Sequence, residues 1–339
     1  MCCGKTLACS GSRNPPNDPA RFLVNTSPVR YAVLIVNFNT ASFVAKAVSS
    51  ILRCATTDDI LICVVDNSST EADLALLRQV AGPKVRVAEL DHNGGFAVGY
   101  NAAARLAQDV FRPEFLVIMN PDVELVASGS IEALINRVKK EGADVVGAQP
   151  LIHGFRLPGN AAEQPAIRRV PNAWDLVITE SIVLRYVFRR RYRRFLMADA
   201  KPYGEHTRFL VPSGAFFLIR AQDFSEIGGF DEGTFLYGEE FILGKKLQQR
   251  SRYFLFDPSI TVLHYQGAAT GFERWRPSRQ MYNFRRDSQM YYVRKYLDGS
   301  SLQQSCLWAA VEVGYLIRIV LWLFRSAGSL VLGGGERGR

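Results

Sequence analysis

The chain has 339 residues, 48% of them hydrophobic, enough for a sizeable core in one large or two fused domains. Its formal net charge of +9 favours anionic partners: nucleotide phosphates, nucleic acid or an acidic membrane surface. The six cysteines (Cys2, Cys3, Cys9, Cys54, Cys63 and Cys306) form no paired CxxC motif, which argues against a zinc site and for a reduced, cytosolic protein.

Residues 1–28 are polar and contain proline but no apolar stretch, so they read as a disordered tail, with lipidation of Cys2 and Cys3 as the alternative. A regular alternation follows. Residues 31–36, 60–65, 85–90 and 115–119 are short, nearly continuous apolar runs. Between them, apolar residues recur at helical spacing, as at Phe43, Val44, Ala47, Val48, Ile51 and Leu52, and Ser69 and Thr70 are candidate caps for a helix over 71–80. Strands without polar alternation, separated by helices, predict an α/β fold with a mostly parallel sheet.

Ligands of such sheets bind where the strands end. Asn37, Asp66, Asn93 and Asp122 each stand just past a predicted strand end. Any one of them can be an ordinary turn former, but packing does not explain all four. Asp122 suits a divalent cation, which in turn holds a diphosphate; it equally suits a cap after Pro121. The glycines of Asn93-Gly94-Gly95-Phe96-Ala97-Val98-Gly99 do not follow the first strand, which disfavours a nicotinamide enzyme.

From residue 151 the alternation breaks. Residues 151–208 read as an irregular or helical insertion carrying Arg185, Arg189, Arg190, Arg191, Arg193 and Arg194 among aromatic residues. A strand-like pattern resumes over 209–220, and 253–258 and 261–264 read as two short extended pieces. The run from Gly228 to Glu240 is rich in glycine and aromatics and ends in two adjacent carboxylates, Glu239 and Glu240, opening a helix over 239–249. Two neighbouring carboxylates raise one another's pKa, as a general base requires. Adjacent helical side chains diverge by about 100°, so the two have separate jobs. His264 follows another apolar run and is either a packing residue or a ligand.

Residues 281–297 are amphipathic and aromatic, and 307–332 are strongly apolar and long enough to span a bilayer. That segment carries Glu312, Arg318 and Arg325, each costing roughly 2.5–3.5 kcal/mol near mid-bilayer. A helix lying in the interface fits better, aided by the arginine cluster on anionic lipid. The cluster lacks a recognised nucleic-acid module, and no nucleic-acid partner is expected.

In these segments the chain resembles a family 2, GT-A-type glycosyltransferase of the bacterial rhamnosyltransferase-like group. The match runs in order through residues 33–39, 64–70, 93–101 and 119–122, then Ser213-Gly214-Ala215, 228–240 and His264, covering about residues 31–297. The resemblance implies a nucleotide-diphospho-sugar transferase fold with C-terminal helices. It divides the chain into a tail (1–28), a catalytic domain (29–275, with halves 29–150 and 209–275 around a basic insertion, 151–208) and a helical, membrane-associated region (276–339). It also implies inverting transfer from a dTDP- or UDP-sugar, with Mn2+ or Mg2+, to a lipid-linked or glycan acceptor at the cytoplasmic face of the membrane.

Residue by residue, the resemblance puts Asp66 near the donor base or ribose beside Asn37 and Asn39. Asn93, Gly95, Asn101 and Asn120 would shape the nucleotide-sugar pocket. Asp122 would hold the metal, His264 the metal or the diphosphate, and Glu240, braced by Glu239, would be the base. The family's metal motif has an aspartate where Asn120 stands, its base is usually Asp rather than Glu, and Ile242 occupies an often acidic position. A catalytically silent scaffold on the same fold is the competing reading, opposed by the intact Asp122, Glu240 and His264.

Overall fold

The computed structural model describes residues 30–143, 145–157, 160–163, 167–197, 210–252, 254–265 and 278–332. The N-terminal tail with Cys2, Cys3 and Cys9 lies outside them. The first half alternates as expected: β1 (Tyr31–Asn37), α1 (Ala41–Cys54), β2 (Ile60–Asp66), α2 (Glu71–Arg78), β3 (Val85–Glu89), α3 (Gly95–Val110) and β4 (Phe115–Met119). Then come β5 (Val123–Leu125), α4 (Ser130–Glu141), β6 (Val145–Leu157), β7 (Asn160–Glu163), β8 (Ile167–Arg169), α5 (Ala173–Glu180), α6 (Ile182–Val187) and α7 (Arg189–Phe195). The chain continues through β9 (Leu210–Pro212), β10 (Phe216–Arg220), α8 (Ala221–Glu226), α9 (Glu239–Gln249), β11 (Phe254–His264), α10 (Arg279–Leu297) and α11 (Ser301–Leu332).

Nine of the described strands join in one sheet, ordered β3-β2-β1-β4-β10-β6-β11-β5, with β7 on β6. The pairs β3-β2, β2-β1, β1-β4 and β6-β11 are parallel, whereas β10 runs against both of its neighbours. Side chains of successive strand residues point to opposite faces, so both faces of the central strands carry core. Val33, Ile35, Ile62, Val64 and Val117 pack under α1, α2 and α4. Ala32, Leu34, Leu61, Cys63 and Ile118 pack under α3, α8 and α9. This double burial is why those runs lack polar alternation. Ile118→Ala would cost about 2–5 kcal/mol. A third apolar cluster joins α5, α9, α10 and α11 and includes Ile242, Tyr292, Leu307 and Val311.

Several expectations need correction. The insertion is not simply irregular or helical: β6 runs through the boundary at residue 150, and β7 and β8 follow before its helices begin. The pattern over 209–220 is two strands, because the turn at Gly214-Ala215 separates them; β9 pairs with β8 in a two-stranded ribbon while β10 joins the main sheet. The two expected pieces near residues 253–264 are one strand, β11, whose register shifts between Asp257 and Thr261. The apolar helix α11 begins at Ser301, and its Glu312 is neutralised by Arg279 and Arg286 of α10, at 2.6 and 2.8 Å.

Candidate active site

The C-terminal edge of the parallel strands gathers most of the residues singled out in the sequence. Asn37 and Asp66 end β1 and β2 side by side. Asn37 Nδ2 lies 2.7 Å from Asp66 Oδ1 and 2.8 Å from Asp73 Oδ2, while Asn37 Oδ1 accepts from the Thr40 hydroxyl at 2.9 Å. Asp66 Oδ2 accepts from the Ser69 backbone N–H at 2.9 Å, and Asn39 Oδ1 from that of Thr70 at 2.9 Å. Asn37 and Asp66 are buried, whereas Asn39 is exposed in a left-handed conformation (φ 55°). The first two therefore build the rim of the edge and the third lies on it. Asp73, missed in the sequence, caps α1 by accepting from Ala41 N–H at 2.9 Å. Its signal was weak because its partner helix lies 32 residues away.

At the next strand end Asn93 Oδ1 accepts from Gly95 N–H at 2.9 Å, opening α3. Gly95 has φ 82°, and a β-carbon there would lie 2.1 Å from the Phe235 carbonyl oxygen, so only glycine admits this close approach. The Phe235 carbonyl accepts from Phe96 N–H at 2.9 Å, docking the loop that leads to Glu239 on the start of α3. Asn101, one turn further on, is a clamp for the same loop. It donates to the Phe230 carbonyl and accepts from Phe230 N–H, each at 3.0 Å.

From the other side, Asp231 is gripped by Tyr291, Lys295 and Tyr296 of α10; Tyr291 donates at 2.9 Å and Lys295 at 2.8 Å. Burial alone would raise the Asp231 pKa, but the hydrogen bonds from Lys295, Tyr296, Gly233 N–H and Tyr291 hold it well below the usual carboxylate range. The loop ends in two left-handed residues, Tyr237 (φ 72°) and Gly238 (φ 89°), which turn the chain into α9.

Glu239 and Glu240 then occupy different environments. Glu239 is buried and its Oε1 has no hydrogen-bond partner. Burial, reinforced by the Glu240 charge, pushes its pKa well above the ordinary value. Glu240 is half-buried and lies against Gly214, whose β-carbon, if present, would fall 2.1 Å from Glu240 Oε1. Burial raises the Glu240 pKa too, opposed by its own backbone N–H, the Arg168 guanidinium and Gly214 N–H. Ile242 is wholly buried in the third core, which explains why no carboxylate stands there.

The same turn ties Glu240 to the metal-motif segment, because Asn120 N–H donates to the Ala215 carbonyl at 2.9 Å. Tyr100 lies between them: its hydroxyl donates to the Met119 carbonyl at 2.9 Å and is 3.4 Å from Asn120 Oδ1. Burial pushes its pKa well up, with Asp122 and Glu240 adding to the shift.

Asp122 and His264 come together because β11 pairs antiparallel with β5, setting His264 opposite Val123. His264 Nε2 is 3.3 Å from Asp122 Oδ1, a buried oxygen that accepts no hydrogen bond. A desolvated carboxylate oxygen beside an imidazole fits one side of a cation site. Among the described residues no third histidine, cysteine or carboxylate completes a set of three, so other ligands would come from donor phosphates or water.

Two residues of the insertion and one of α10 reach this neighbourhood without having been expected. Glu180, buried at the end of α5, pairs with Arg285 at 2.8 Å and accepts from Gln289 at 2.8 Å. Arg168 on β8 lies within electrostatic reach of Glu240. Nothing local in Ile167-Arg168-Arg169 signals that position. The arginine cluster also divides. Arg185 donates to the Thr179 carbonyl and Arg191 pairs with Asp175 at 2.7 Å, whereas Arg189, Arg190 and Arg194 are exposed.

Comparison with known proteins bears on the family and the fold. Residues 32–227 match the family described as Glycosyl transferase family 2. The chain is 28% identical over 253 residues to an N-acetylglucosaminyl-diphospho-decaprenol L-rhamnosyltransferase of Mycobacterium tuberculosis, covering 70% of this chain and 77% of the relative. It is 22% identical over 240 residues to the rhamnosyltransferase WbbL of Escherichia coli, covering 69% and 82%. In fold it resembles the mannosyltransferase PcManGT of Pyrobaculum calidifontis, solved with GDP-Man and Mn2+ (TM-score 0.51, 15% identity, covering 92% of this chain and 86% of that one). TarS of Staphylococcus aureus gives the same TM-score of 0.51 at 12% identity, covering 86% and 71%. With its mostly parallel sheet, GT-A-type neighbours and bacterial rhamnosyltransferase relatives, the chain belongs to glycosyl transferase family 2.

Proposed function

We propose that this family 2 glycosyltransferase moves a sugar, rhamnose by its relatives' names, from a nucleotide-diphosphate donor to a lipid-linked glycan acceptor in cell-surface polysaccharide synthesis. The observation that carries the reading is the seat of Glu240, a half-buried carboxylate against Gly214, joined through Ala215 and Asn120 to the Asp122–His264 pair. Glu240 takes the proton of the acceptor hydroxyl while that oxygen attacks the anomeric carbon and the nucleoside diphosphate leaves, in one inverting displacement. Its raised pKa gives it the basicity for this, and Arg168 and Gly214 N–H oppose the rise. Glu239, whose pKa burial pushes well above the ordinary value, is its brace. Asn39, Asp66 and Asn93 frame the nucleotide, and Asn37 and Asn101 hold that frame in shape.

Asp122 and His264 would hold a divalent cation, which when bound offsets the negative charge of the leaving diphosphate. Membrane attachment is peripheral. Helix α11 is long and apolar enough over Ser301–Phe324 to cross a bilayer by length and composition. Yet Leu307 and Val311 are buried against the third cluster, while Trp308, Leu316, Val320, Leu323 and Phe324 are exposed. One face packed and one face bare suits a helix lying in the interface. Val183, Tyr186 and Val187 of α6 are likewise exposed, followed in sequence by exposed Arg189 and Arg190, a second patch suited to an anionic lipid surface.

A thermal-shift screen of dTDP-, UDP- and GDP-sugars with and without manganese tests the reading. One donor should raise the melting temperature, and more so with the metal. If no nucleotide sugar shifts it under either condition, the reading fails.

A further inference from the structure

Arg168 is a half-buried cation for which no ion pair or hydrogen bond is found among the described residues. Its position is set by backbone pairing. β8 and β9 form an antiparallel ribbon in which Arg168 is opposite Val211, and the turn at Gly214, three residues on, is where the Glu240 carboxylate rests. Arg168 therefore flanks Glu240 from the insertion. Asp122 and His264 are tied in by separate elements, through Asn120 and the end of β11.

Among the described residues, Glu240 is the carboxylate whose charge acts on Arg168. Arg285 lies within its field, but that guanidinium already has Glu180 at 2.8 Å. Once Glu240 has taken a proton, the group holds two guanidinium charges against the single carboxylate of Glu180. A partly desolvated arginine whose neighbouring carboxylate has been neutralised is costly to keep, and an anion arriving with the substrate removes that cost. The insertion also links this point to the apolar surface. Phe195 at the end of α7 meets Phe241 beside Glu240, with ring centroids 6.4 Å apart, and α6 with exposed Val183, Tyr186 and Val187 precedes α7 directly.

We propose that Arg168 is the acceptor-side anion site: it binds the phosphate or diphosphate joining the acceptor sugar to its lipid, and so presents the sugar hydroxyl to Glu240. The proposal rests on the reading of Glu240 as the base for a lipid-linked acceptor. Arginine suits the task because its planar fork matches phosphate oxygens in pairs.

The test uses the full chain in EDTA, so that no cation at Asp122 and His264 draws the probe. Farnesyl diphosphate, inorganic pyrophosphate and farnesol are titrated by calorimetry against wild type, Arg168→Gln, Arg168→Lys and Asp122→Asn. Farnesyl diphosphate should bind wild type and Asp122→Asn alike, weaken about ten- to a hundredfold in Arg168→Gln, and recover partly in Arg168→Lys. Farnesol should bind more weakly than the diphosphate and identically to all four. Equal affinity of wild type and both Arg168 variants for farnesyl diphosphate overturns the proposal and leaves Arg168 as a counter-ion of Glu240. Pyrophosphate binding as tightly as farnesyl diphosphate overturns it in favour of a free-phosphate site. Nucleotide-sugar binding with manganese, measured on wild type and both Arg168 variants after the EDTA is removed, separates the two readings. If donor binding is intact in wild type and both Arg168 variants while diphosphate binding ignores Arg168, only the acceptor-site proposal fails.

Discussion

Gly214 and Glu240 are fitted to each other across the turn that separates β9 from β10: a β-carbon on Gly214 would fall 2.1 Å from Glu240 Oε1. Gly214→Ala should therefore displace the carboxylate while leaving both flanking strands paired. We expect transfer to fall about a hundredfold with the melting temperature nearly unchanged, because misplacing a reacting group by about 1 Å costs that order of rate. Unaltered turnover in a folded Gly214→Ala protein would remove Glu240 from the reaction.

The two glutamates should separate under the same substitution. Glu240→Gln should lower the rate by about a hundredfold or more and leave donor affinity within a few-fold. Glu239→Gln should keep most activity and gain stability, since Glu239 Oε1 is buried without a partner. The sign with pH follows. The folded pKa of Glu239 is raised above the ordinary 4.5, so above that pH the unfolded chain releases a proton that the folded chain retains. Stability contributed by this group is thus greatest below pH 4.5 and falls as pH rises through the folded pKa. Chemical denaturation from pH 4.5 to 7 should show Glu239→Gln pulling ahead of wild type as pH increases.

For the cation site, the decisive reading is stabilisation by metal in the absence of turnover. Manganese with nucleoside diphosphate should raise the melting temperature of wild type, and Asp122→Asn should lose that rise. His264→Ala should lose most of it. An undiminished manganese shift in both variants would move the cation elsewhere.

Asp231 is a stability test away from the chemistry. Its carboxylate receives Tyr291, Lys295, Tyr296 and the Gly233 N–H, so Asp231→Asn should cost about 1–3 kcal/mol and loosen the loop that carries Glu239 and Glu240. Its folded pKa is depressed below the ordinary 3.8, so its contribution is present above that value and disappears as pH falls through the folded pKa. The variant and wild type should therefore converge in stability only at strongly acid pH.

Attachment to lipid should follow exposed members of the arginine cluster. Replacing Arg189, Arg190 and Arg194 by alanine should reduce binding to phosphatidylglycerol vesicles about a hundredfold, at about 1 kcal/mol per residue, and leave binding to neutral vesicles unchanged. Equal binding of wild type and the triple variant to anionic vesicles would count against the charged half of this surface.

The first half of the fold was legible because its signal is local. An apolar run buried on both faces cannot alternate, so residues 31–36, 60–65 and 115–119 declared a parallel sheet, and the polar residues ending them marked its ligand-binding edge. Thr70 likewise announced a helix cap, and it accepts from Asp73 N–H. What remained hidden depends on pairing between distant segments. Asn37, with its amide and carbonyl already engaged by Asp66, Asp73 and Thr40, became part of the frame. Arg168 entered the site through a ribbon whose two strands lie more than forty residues apart in sequence.

The sequence by itself determined a parallel α/β sheet, its polar edge and the acidic pair, since strand and helix periodicities and neighbouring carboxylates are written within a few residues. Tertiary structure alone decided that β11 would carry His264 to Asp122, that Gly214 would seat Glu240, and that Glu239 would be buried without a partner. The physical reason is that desolvation and charge proximity, which divide one glutamate from the next, depend on elements brought together from across the chain.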